Sequence, residues 1–144
     1  MTENFIREYR PGDRAALTAL WRQVFGDPEA VVAAFFDALL RAFAAYDKLG
    51  WEGGVLRIQG KIVGFSLGEF TSPDCFDVHF EKADGSINGA YPMVCRELTR
   101  QLMAAHPQLK YMNREEDMGD LGLRKAKRDL HPVTQLKKYT VEVW

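Results

Sequence analysis

Three extended segments follow one another in the middle of the chain, and they constrain the fold more than any other feature. "GGVLRIQGKIVGFSLGEF" reads as two strands joined at Gln59-Gly60, a two-residue turn of hairpin type. After "TSPD" comes a third strand, "CFDVHFEKA". Helical patterns flank this block on both sides. Upstream, Phe5, Arg7 and Tyr9 alternate with Ile6 and Glu8 as a short first strand, and "PGD" stops it. Asp13 can N-cap a helix that carries Leu17, Leu20, Trp21 and Val24 on one face and ends at Gly26. A second helix starts at "DPE", with Asp27 as N-cap and Pro28 in the first turn, and runs to Leu49. Downstream, Pro92 opens a helix with Val94, Leu98, Leu102 and Ala105 on its inner side. "LKYMN" is a short strand, a further helix spans about Asp120 to Leu130, and Pro132 forbids its continuation. "VTQLKKYTVEVW" makes the last strand. The order is β-α-α-β-β-β-α-β-α-β, which means a mixed β-sheet in an α/β (α+β) layer architecture.

A length of 144 residues fits one domain, residues 1–144, with a sizeable core. A formal charge of −1 argues against wholesale phosphate binding but leaves room for a local basic patch. Cys75 and Cys95 show neither metal spacing nor a secreted disulfide pattern, and read as buried free thiols. "MTENFIREYR" lacks the order of a signal peptide, and the most apolar run, 30–46, carries Asp37 and Arg41 in its middle. A cytoplasmic protein without a transmembrane segment is the expectation. In the second helix, Val31, Val32, Phe35, Phe36, Leu39, Leu40 and Phe43 cover more circumference than one sheet face can take. That surplus points to extra core or to a partner subunit.

The third strand of the block carries chemistry. In "FDVHFEK" strict alternation puts Phe76, Val78 and Phe80 on one face and Asp77, His79 and Glu81 on the other. Three titratable groups in one stripe form either a solvated face or a cleft in which a carboxylate or imidazole takes a proton from an attacking amine or hydroxyl. No further ligand stands at a spacing that would make a metal site. The loop "ADGSINGAYP" precedes a helix, where free backbone N–H groups can hold an anion.

"NREEDMGDLGLRKAKRDLHP", residues 113–132, holds five acids and five bases, the acids mostly first. A dipole-matched helix explains much of this, with Asp117 or Asp120 as cap, Leu123, Ala126 and Leu130 inward, and Lys125 over Asp129. "NRE" is different, because Asn113, Arg114 and Glu115 fall at the C-terminal end of a central-looking strand, where α/β sheets commonly bind ligands. Arg124, Lys125, Lys127 and Arg128, with Lys137 and Lys138, can form a basic rim.

"VHFEKAD", "GAY", "NREEDMGDLGLRKAK" and "HPVTQLKKY" together closely resemble the phosphatidylglycerol lysyltransferase C-terminal domain family, over roughly residues 45–140. The upstream part looks like the opening of a simple GNAT acetyltransferase. The resemblance implies a GNAT-like single domain and an acyltransferase. The reaction it implies is aminoacyl transfer from an aminoacyl-tRNA-type donor to an amine or hydroxyl acceptor, either a small molecule or a lipid head group. On that reading Glu81 is the base with His79 its alternate, and Tyr91 donates to a leaving group. Lys82, Gly89, Asn113, Arg114, Glu115, Arg124, Lys125 and Lys127 bind substrate or donor. GNAT enzymes hold the pyrophosphate of coenzyme A on a loop with Gln or Arg, two residues, Gly, one residue, then Gly or Ala. Here the best register is Ser86, Gly89 and Tyr91, so only the glycine matches. Two alternatives stay open: an acetyl-CoA-dependent N-acetyltransferase, with acetyl-CoA or another CoA thioester as cofactor, and a non-catalytic binding or dimerisation module. Family members usually hold two GNAT-like halves, so a homodimer or a missing second half is also implied.

Overall fold

The computed structural model describes residues 6–24 and 29–144, without the side chains of Val24, Glu29, Val31, Val32, Phe35 and Phe36. The expectations for Phe5, Gly26, Asp27 and Pro28, and for four of the apolar residues of the second helix, lie outside what is described. The chain forms two compact units, Met1–Asn113 and Arg114–Trp144.

The first unit is built on a five-stranded sheet in the order β1-β2-β3-β4-β5. Its strands are β1 (Ile6–Glu8), β2 (Glu52–Ile58), β3 (Lys61–Ser72), β4 (Cys75–Ala83) and β5 (Tyr111–Asn113). Neighbours are antiparallel except β4 and β5, which are parallel. Gln59 and Gly60 both take positive φ, 48° and 81°, the conformation that lets a two-residue turn follow the twist of its strands.

Helices cover both faces. On one face α1 (Arg14–Val24) and α2 (Glu29–Leu49) bring Leu17, Leu20, Trp21, Leu39 and Phe43 onto Val55, Phe65 and Leu67 of the sheet. On the other, α3 (Ala90–Ala105) lays Val94, Leu98 and Leu102 on Leu56, Phe76, Val78 and Ala83. Ala105, expected inward, is exposed at the helix end. A staple fixes the entry into α1: the Arg7 guanidinium donates to both oxygens of buried Asp13 at 2.7 and 2.6 Å, and the Arg10 N–H adds a third bond at 2.9 Å.

Strict alternation fails in β4. Leu67 pairs with Phe80 but the next residue, Gly68, pairs with Val78, so the strand carries a bulge at His79–Phe80. Phe76 and Val78 therefore lie in the α3 cluster, whereas Phe80 packs into the α1/α2 cluster beside Trp21. Gly68 makes the bulge possible. A Cβ built on it would overlap the Asp77 carbonyl oxygen and lie 2.8 Å from the carbonyl carbon and from Phe76 Cε1.

In the second unit α4 (Leu121–Arg128) starts at Asp120, whose carboxylate accepts the Leu123 N–H at 2.6 Å. Asp117 pairs with Arg124 through two bonds, and Arg124 holds its carboxyl at about 2. Leu123 and Leu130, expected inward, are exposed, and so is Ala126. The last expected strand does not form: among the described residues, 133–144 pair with no strand. Alternation makes a segment competent for a sheet, but a strand also needs an edge to pair with.

Candidate functional site

Parallel pairing of β4 and β5 stops at Asp77, which stands opposite Asn113. Beyond it, among the described residues, no strand pairs with the outer edge of β4 along 78–83. The bulge lies at the start of this open stretch. A free, kinked edge of this kind offers backbone groups to a ligand and re-aims the side chains beside it.

The bulge divides the expected stripe. His79 joins Asp77 on the α1/α2 face, where its Nε2 lies 2.9 Å from Glu69 Oε1 and its ring lies tilted by 33° against Trp51, with the ring centres 5.0 Å apart. Asp77 stands directly across the ladder from Glu69. Glu81 turns to the α3 face, because its partner is Ser66 and the next pair on that side, Gly64 with Ala83, lies against Val94. His79 and Glu81 therefore do not share a substrate face. The period of two holds through "FDVHFEK" in the sequence, and the extra residue in the ladder breaks it in the sheet. Lys82, on the α1/α2 face, places its ammonium 5.2 Å from the Trp21 ring.

The lower end of the edge is closed by Tyr91. Its hydroxyl receives the Ala83 N–H, and burial pushes its pKa up, with Glu81 adding to the rise. Nearby, the Ser66 hydroxyl is fully buried and without a hydrogen-bond partner.

The loop before α3 is satisfied by its own acid. Buried Asp84 accepts the Ser86 N–H at 3.0 Å and the Ser86 hydroxyl at 2.6 Å, and these bonds hold its carboxyl below the usual range. Ile87 N–H bonds the Asp84 carbonyl, and Ala90 N–H the Ile87 carbonyl. Gly89 caps the helix in the left-handed region at φ 81°. The position that would cradle a diphosphate thus carries a fixed negative charge, and three of its amides are already engaged.

The remaining expected ligands belong to the second unit, apart from Asn113. Arg114 is half-buried, and Glu115 is exposed with φ 52°. Lys127 donates to the carbonyl of Arg114, to that of Glu115 at 3.2 Å and to that of Glu116 at 2.7 Å. Arg124 is held by Asp117 and Lys125 by Asp129 at 2.7 Å. This basic group organises its own loop. Sequence reasoning missed Glu69, Trp51 and Ser66, all of which come from strand register or long-range packing. A tight turn at "TSPD" pairs Ser72 with Cys75 and would by itself set Glu69 opposite Val78; an irregularity between Phe70 and Ser72 sets it opposite Asp77, so the turn spacing did not disclose the pair.

The family model described as phosphatidylglycerol lysyltransferase, C-terminal, matches residues 7–142. A conserved protein of unknown function from Bacteroides thetaiotaomicron is 37% identical, with a TM-score of 0.75 over 90% of this chain. The chain spans 44% of that protein's length. Ribosomal-protein-alanine N-acetyltransferase from Brucella melitensis is 14% identical, with a TM-score of 0.63 over 96% of this chain and 98% of its own. The aminoglycoside enzyme AAC(6')-Iy, solved with a CoA bisubstrate analogue, is 13% identical, with a TM-score of 0.58 over 96% and 97%. These two likenesses establish the fold, that of GNAT acetyltransferases. No curated protein matches. Among the described residues no helix is long and apolar enough to cross a membrane.

Proposed function

The chain belongs to the phosphatidylglycerol lysyltransferase C-terminal family, and we propose that it is an acyltransferase moving an aminoacyl group from an ester donor to an amine or hydroxyl. The observation that carries this reading is the His79–Glu69 couple at the bulge, beside the open edge of β4. His79 takes the proton of the attacking N–H or O–H, and Glu69 stabilises the imidazolium that forms. The nucleophile bonds to the acyl carbon, the ester C–O bond breaks, and the leaving hydroxyl regains the proton. Of the two expected bases, the geometry favours His79. Glu81 faces the opposite side of the sheet and is better placed to orient Tyr91.

Tyr91 receives a different role from the one expected. It sits at Ala83, four residues from His79, which is about 13 Å along a strand. One reacting carbon cannot touch both, so Tyr91 lines the donor path instead of serving the leaving group.

An ester donor is preferred to a CoA thioester because the loop does not fit a pyrophosphate. Asp84 would face two phosphate charges, and Ser86 N–H already serves Asp84. The acceptor is a small molecule or a lipid head group.

The test is protein-dependent loss of labelled amino acid from charged tRNA, with candidate acceptors in excess. His79→Ala should lower kcat about 100-fold or more, the usual share of a general base. Glu69→Gln should lower it less and leave KM unchanged. Equal turnover by wild type and His79→Ala would refute the assignment.

A further inference from the structure

The bulge sets two consecutive residues, His79 and Phe80, on the same α1/α2 face, and one side chain lies against both. The Trp51 ring centre is 5.0 Å from that of His79 and 5.9 Å from that of Phe80. Trp51 is anchored just beyond the end of α2, where its main-chain N–H reaches the Tyr46 carbonyl at 3.4 Å. Its indole N–H is buried and has no hydrogen-bond partner among the described residues. A buried tryptophan usually spends that N–H on an acceptor. Here the ring is placed by its faces, and one of them meets the base.

Glu69 adds a constraint of another kind. A carboxylate only accepts hydrogen bonds, so Nε2 of His79, 2.9 Å from Glu69 Oε1, carries the ring proton. The neutral imidazole then has its basic lone pair on Nδ1. Nδ1 is bonded to Cγ and stays over β4, the strand with the open edge, while Nε2 reaches toward β3. We propose that Trp51 is a positioning residue that holds the His79 ring where Glu69 keeps it in the Nε2–H tautomer, so that Nδ1 is the atom that takes the proton. The inference rests on the acyl-transfer reading of this site. The proton passes from the N–H or O–H of the nucleophile to Nδ1, and the bonding pair stays on the nucleophile. The ring becomes an imidazolium with its Nε2–H still on Glu69, and the leaving hydroxyl takes the proton back from Nδ1.

The experiment is nitrogen NMR of the histidine-labelled full chain, at a pH where the rings are neutral, with kcat and KM from the charged-tRNA assay. His79→Ala identifies the His79 signals among the three histidines. The expected spectrum has Nε2 protonated and Nδ1 bare. Trp51→Phe keeps an aromatic face and should keep both the tautomer and kcat. Trp51→Leu should mix the tautomers and lower kcat by roughly 10–100-fold at unchanged KM, the order that a small misplacement of a reacting group costs. Glu69→Gln still offers an accepting oxygen and should keep the tautomer, whereas Glu69→Leu should lose it. A Trp51→Leu protein with a lower Tm but the wild-type tautomer and kcat overturns the inference, because a purely structural role predicts that result. A wild type protonated at Nδ1 also overturns it, even where turnover depends on His79 and the acyl-transfer reading stands. Turnover that is independent of His79 overturns both.

Discussion

Gly68→Ala tests the origin of the bulge, and with it the orientation of the base. The added Cβ would meet main-chain atoms of Asp77, which cannot rotate away, and the edge of Phe76. Overpacking against backbone costs about 3 kcal/mol, the upper part of the usual range. Restricting the unfolded chain by replacing glycine returns about 0.5–1 kcal/mol. The net loss is about 2 kcal/mol, or a fall in Tm of roughly 6 °C for a chain of this length. Gly12→Ala is the matched control, because nothing lies within 4 Å of its added Cβ. Calorimetry reads the stability. The shift of the His79 ring protons, which sit over Trp51, reads the site, and they should move in Gly68→Ala and stay in the control. An unchanged Tm together with unchanged ring shifts would refute the view that close strand approach at Gly68 aims His79.

Two other perturbations have definite signs. Arg7 holds the Asp13 carboxyl below its ordinary range, so this pair contributes stability above the unfolded carboxylate pKa of about 4 and loses it as pH falls through the lower folded value. Asp13→Asn should therefore cost about 1–2 kcal/mol at neutral pH and nearly nothing at the acid end, so that the two melting curves converge below about pH 4; parallel curves would contradict the argument. Lys127→Met removes the donor to three consecutive carbonyls, Arg114 to Glu116. Local opening of residues 114–120 should become about 5–30-fold more frequent, an effect of about 1–2 kcal/mol, and limited proteolysis of that loop reports it directly.

Local rules made much of the fold legible. The Gln59-Gly60 turn, the Asp120 cap and the apolar face of α3 at Val94, Leu98 and Leu102 each follow from a few neighbouring residues. Other features depend on residues far apart. A bulge is a mismatch between two strands, so the alternation of β4 alone could not disclose it; Gly68, a glycine inside a strand, was the one hint. His79 was legible as a candidate, but its partner Glu69 came only with the register. The basic run 124–128 shows another limit of sequence. Charge composition shows that cations are present, and only geometry shows that Arg124 and Lys127 are spent on Asp117 and on the loop carbonyls. The segment 133–144 reads as a strand in sequence and pairs with no strand among the described residues, because pairing requires an edge that its own residues do not supply.

On the proposed reading the donor is an aminoacyl ester, and Asp84 bars a CoA pyrophosphate from the loop. Calorimetric titration of the full chain with acetyl-CoA, and separately with an amide-linked, non-hydrolysable aminoacyl-tRNA mimic, tests it most directly. Micromolar binding of the mimic and no heat with acetyl-CoA is the expected result. Micromolar acetyl-CoA binding, abolished by charge reversal within 85–90, would contradict it.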